Sequence, residues 1–237
     1  MSRLQSEFQR LFRLTADGDI ALTDSHGRVS TLAIRIVRGR DWPSVATLLD
    51  DLRESLGLPL PAVSVDAKTG FLLWFPLAEP VAADAAARFL AALCRRYLGD
   101  IADFDIALLP GADAQLPRIP ALSPDNERWS AFIDPTMGAM FVEEGGLDFE
   151  PNPDRQADLL AAVKPITSAD FIRALATLTA DEAASGAPVK HASSAVIGHF
   201  ADPREFLQAV MNDPSVPLAL RIEAAKALLG QARSTTG

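Results

Sequence analysis

Two carboxylates two residues apart, Asp103 and Asp105, are the first side chains in this sequence whose type and spacing could do chemistry. A hard divalent cation needs several carboxylate oxygens held together. On a strand, residues i and i+2 face the same way, so this pair could supply two of them to Mg or Mn. The alternative reading is two solvated acids on the outer face of an end strand, with Phe104, Ile106 and Leu108 turned to the core. A second group is basic. Arg35, Arg38 and Arg40 follow one another closely, Lys68 lies in Asp66-Ala67-Lys68-Thr69-Gly70, and Trp74 stands a few residues later. Cations with an aromatic platform are what single-stranded nucleic acid uses, so these five are the nucleic-acid-binding candidates. The Lys68 segment lacks the first glycine of a phosphate loop and reads as a hairpin turn.

Other chemistry finds less support. Cys94 is the single cysteine, so no internal disulfide and no thiolate zinc site can form. His26, His191 and His199 have no partners at ligand spacing, and there is no G-x-S-x-G nucleophile motif. Trp42, Trp74 and Trp129 fit packing at least as well as base stacking. Asp17-Gly18-Asp19 has turn chemistry.

The elements that must position these residues follow from periodicity. Thr31 to Arg38 alternates apolar and polar and reads as a strand. After Gly39, Pro43 opens a helix whose stripe is Val45, Leu48, Leu49, Leu52 and Leu56, ended by Gly57 and Pro59. Ala62–Val65 and Phe71–Leu77 form a hairpin, and a helix spans about Ala82 to Leu98. Phe104–Leu109 is a further strand. This order, βαββαβ, predicts an α+β protein with a ferredoxin-like or RRM-like split βαβ core. Its antiparallel sheet would carry two helices on one face. The other face is open unless later chain covers it.

Beyond Pro110 the chain is a proline-rich loop, with short strands expected at Arg128–Ile133 and Met140–Val142. Helices are expected at Asn152–Lys164 and Ser168–Leu178. The domain boundaries fall at 1–180 for the α+β domain, 181–201 for an Ala/Ser/Gly-rich linker and 202–237 for two short amphipathic helices. These last helices cannot bury much alone, so residues 202–232 are expected to self-associate or hold a protein partner.

The chain has 237 residues and a formal charge of −9. Residues 1–40 carry seven basic and four acidic side chains, whereas residues 100–158 carry thirteen acidic and three basic ones. Strong nucleic-acid binders show the opposite overall balance, so only weak binding through a local basic face is expected. No stretch approaches the ~18 apolar residues that span a bilayer, and Met1–Leu14 lacks the apolar core of a signal peptide. A cytoplasmic protein with no membrane partner is expected.

The run LPLPAVSVDAKTGFLLWFPLAEPVAADAAARFLAALCRRYL resembles a segment of the archaeo-eukaryotic primase superfamily, in its primase–polymerase branches. The shared pattern is a strand, a glycine-containing hairpin, a strand ending in L-x-x-P-V and a long helix. The resemblance implies a ferredoxin-like core and two-metal nucleotidyl transfer. It places an acid-x-acid pair on the first strand, a histidine after the glycine turn and a third acid further on. Here the first position holds Ala33-Ile34-Arg35-Ile36-Val37, the second holds Gly70-Phe71-Leu72-Leu73-Trp74, and only the third is acidic, at Asp103 and Asp105. Residues 202–229 also resemble a helical segment of phage terminase small subunits. The expectation is a degenerate, non-catalytic primase-like binding or scaffold module of replication or mobile-element biology, needing no cofactor. The alternative is a Mg- or Mn-dependent nucleotidyltransferase with an atypical acidic site.

Overall fold

Alternation along Val29–Ile36 sends Leu32, Ile34 and Ile36 to one side and Ala33 and Arg35 to the other, and this strand, β1, sits inside a six-stranded antiparallel sheet. The computed structural model describes residues 2–15, 20–68, 70–110, 116–125 and 127–185, with side chains through 180. These residues belong to the unit Met1–Gly186. Most of the 181–201 linker, the 202–237 tail, Asp17 to Asp19, His191 and His199 lie outside the described residues.

The remaining strands are β2 (Ala62–Val65), β3 (Phe71–Val81), β4 (Ile106–Leu109), β5 (Ala121–Leu122) and β6 (Trp129–Ile133). Their order is β4-β1-β3-β2-β6-β5. The mixed α+β class follows directly. Strand β3 outruns the expected Phe71–Leu77 because Thr31 still pairs with Pro76, and Val29 reaches Val81 past a bulge. The β2–β3 turn is closed by Asp66, whose Oδ1 accepts from the backbone N–H of Lys68 and Gly70 at 2.8 and 2.9 Å. Gly70 is required there, since a Cβ would lie 2.6 Å from the Ile36 carbonyl oxygen.

Helix α1 (Arg3–Leu11) precedes the sheet, α2 (Trp42–Glu54) follows β1, α3 (Ala83–Tyr97) follows β3, and α4 (Pro153–Ala161) and α5 (Ser168–Ser185) close the described chain. The stripe Val45, Leu48, Leu49, Leu52 is buried as its spacing requires. With Phe89, Leu90 and Leu93 of α3 and Phe171 and Leu178 of α5 it covers Ile34, Ile36, Leu73 and Phe75. Burying side chains of this size stabilises by roughly 1.5–3 kcal/mol each. Helix α5 runs to Ser185, past the expected end at Leu178 and into the first residues assigned to the linker.

The second sheet face is not open. Leu11 and Phe12 at the end of α1, with Leu160 of α4 and Val163 just beyond it, cover Ala33, Ala62, Trp74 and Phe132. Arg10 ties the two helices together by donating to the Leu160 and Val163 carbonyls at 2.7 and 3.1 Å, which satisfies acceptors at the C-terminal end of α4. Gln156 of α4 exchanges both amide bonds with the Phe132 backbone, at 2.7 and 3.0 Å. The strand expected at Met140–Val142 is instead the end of a 3-10 helix, Pro135–Phe141, capped by Asp134. Gly138 permits it, because a Cβ there would enter the Trp42 ring. No helix among the described residues is long and apolar enough to cross a membrane.

Candidate functional site

The carboxylate pair does not form a shared face. Asp103–Asp105 is a 3-10 turn before β4, not part of a strand. Three residues per turn point successive side chains in different directions. Asp105 is 4% exposed, whereas Asp103 lies in solvent and Phe104, expected in the core, is 76% exposed. Only Ile106 and Leu108 pack toward the helices as alternation requires.

Asp105 is occupied. Arg38 Nε lies 2.9 Å from its Oδ1, and the Val37 N–H donates to its backbone carbonyl at 2.8 Å. The Arg38 guanidinium also sits over the Phe104 ring, 5.6 Å from its centroid. The ring and the carboxylate therefore hold Arg38 from two sides, and Arg38 neutralises the one acid that is buried among the described residues. No group of three metal-ligating side chains is found among the described residues.

The basic candidates are likewise separated. Arg40 is exposed and 3.9 Å from Asp41, and Lys68 reaches Asp125 at 3.2 Å. Trp74, proposed to stack on a base, is 0% exposed. Its ring meets Phe12 and Phe132 at 5.7 and 5.6 Å, and its Nε1 donates to Ser64 Oγ at 2.8 Å. Alternation along β3 put Trp74 on the second face, and α1 then sealed that face. Trp42 is buried against Phe71 at 4.6 Å, and Trp129 is half-buried. His26 sits on an exposed turn whose Asp24 accepts from its N–H.

Arg35 differs from these. It is half-buried, paired by register with Leu72 on one side and Ala107 on the other. No hydrogen bond or ion pair engages its guanidinium among the described residues. It lines a cavity of about 210 Å³ between the sheet and the chain segment 117–123. Ser64, Ile119, Leu122 and Ser130 are among the other residues that line it. Sequence reasoning named Arg35 and missed these four. The Val63-Ser64-Val65 alternation carried a signal for Ser64, since a serine between two valines must face away from their core. Nothing in the proline-rich loop signalled Ile119 or Leu122.

Cys94 offers no nucleophile. Burial pushes its thiol up to about 12, so the reactive thiolate is negligible at neutral pH.

No protein-family model matches the chain, and no curated protein matches it.

Proposed function

We propose that this chain is a non-catalytic binding module of primase-like kind, acting as a scaffold in replication or mobile-element biology. The observation that carries this reading is the 2.9 Å pair between Asp105 and Arg38, with Arg35 on the neighbouring central strand. Two-metal nucleotidyl transfer requires carboxylates converging on a cleft. Here the single buried acid of the candidate pair is spent on a guanidinium. A second guanidinium stands where the family carries its first metal-binding acids, and its charge repels a divalent cation.

A protein partner is favoured over nucleic acid. Arg38, Arg40 and Lys68 each face a carboxylate, so a phosphate would have to displace it. Met137 and Met140 are i, i+3 on the 3-10 helix, where side chains eclipse, and both are exposed, Met140 at 72%. Exposed methionines are the adaptable contacts that protein-binding surfaces use.

The test is template-dependent synthesis by the full chain with nucleoside triphosphates, single-stranded template and Mg or Mn. No product is expected, and Mn should leave the melting temperature unchanged. A product that is lost in Asp105→Asn would overturn the reading. Binding of single-stranded DNA that persists at about 0.15 M salt and weakens in Arg38→Ala would replace the protein partner by nucleic acid.

A further inference from the structure

We propose that the cavity over Arg35 is a binding site for a small monocarboxylate with an apolar body. A half-buried guanidinium with no hydrogen-bond or ion-pair partner among the described residues has given up part of its hydration, a cost that an anionic ligand would offset. The planar fork of arginine matches the two oxygens of a carboxylate, giving two parallel charge-assisted bonds. Ser64 beneath it is fully buried, its Oγ accepting from Trp74 Nε1, so it belongs to the floor of the cavity and the guanidinium is the group that would meet the carboxylate.

Charge selects against a dianion. Asp66 lines the same cavity, its Oδ1 held by two backbone N–H groups. Arg118 also lines it but has an interaction of its own. One guanidinium is therefore free to pair, and a phosphate monoester would bring surplus negative charge toward Asp66. The remaining wall selects for apolar character, since Leu72, Ile119 and Leu122 form much of it. The volume of 210 Å³ is that of roughly seven waters, which fits a molecule the size of phenylacetate or hexanoate.

The experiment titrates the full chain with phenylacetate, hexanoate and phenyl phosphate, read by calorimetry and by backbone amide shifts. Saturable binding of phenylacetate or hexanoate is expected, with Kd of about 1 mM or tighter. Arg35→Gln should weaken it about tenfold or more, the loss of one charge-assisted pair. Ala121→Leu fills the cavity from the loop side, keeps Arg35 and should weaken it as much. If Arg35→Gln fails to fold, Ala121→Leu decides alone. The site is overturned if neither carboxylate saturates, if a folded variant binds like the parent, or if phenyl phosphate binds more tightly than phenylacetate. This proposal does not rest on the primase-like reading: a templated product would overturn that reading and leave carboxylate binding intact.

Discussion

Arg38 and Asp105 meet at 2.9 Å across the start of β4, and this contact withdraws from metal chemistry the carboxylate that the sequence offered for it. Asp105 has almost no contact with water, while Arg38 keeps part of its side chain in solvent. The pair therefore has an asymmetric failure mode. Arg38→Ala leaves a buried carboxylate without its cation and should destabilise the protein by about 1–3 kcal/mol. Asp105→Asn removes the charge but keeps an acceptor for Nε, and should cost about 1 kcal/mol. Urea denaturation of the two single variants and the double variant checks this. The double variant should lose less than the sum of the singles. An Arg38→Ala variant as stable as the parent would contradict the assignment.

Gln156 stands in for a strand. Its amide pairs with both backbone groups of Phe132, which β5 is too short to reach. Gln156→Leu keeps the volume but strands a buried N–H and C=O. The expected loss is about 2–4 kcal/mol, taking 1–2 for each group. Hydrogen exchange should accelerate at the Phe132 amide in particular, and an unchanged rate there would refute the role.

Asp134 caps the 3-10 helix that carries the exposed methionines. The Thr136 hydroxyl and N–H, at 2.7 and 2.9 Å, hold its carboxyl below the usual 3.8. Folding lowers this pKa, so its contribution to stability is full above about pH 3.8 and is lost as pH falls through the folded value. Thr136→Val should move the carboxyl back up in an NMR titration and flatten the acid limb of stability between those two values. A carboxyl that titrates identically in both proteins would show that the hydroxyl does nothing.

Cys94 is held as a thiol. With its pKa pushed to about 12, native protein at pH 8 should react with a thiol reagent at least about 100-fold more slowly than protein unfolded in urea, where the ordinary value returns. Equal rates would mean that the α3 thiol is not shielded by the packing around it.

Periodicity alone determined the helices α2 and α3, the β2–β3 hairpin and the parity of β1, because a residue's side on a strand or helix is a local property. It also put Arg35 on the face of β1 opposite Leu32, Ile34 and Ile36. What it could not determine was the direction of residues outside regular elements. Asp103, Phe104 and Asp105 looked like a strand, yet a 3-10 turn reversed the expected roles of Phe104 and Asp105. Which face of the sheet would be covered was also a long-range matter. Trp74 was turned from a candidate platform into core by α1, more than sixty residues earlier, and α4, about eighty later. The cavity over Arg35 depends on segment 117–123 folding back across β2 and β6, a contact encoded in no local pattern. Chain reversals and helix docking are decided by the total apolar area they bury, and that sum exists only in the folded protein.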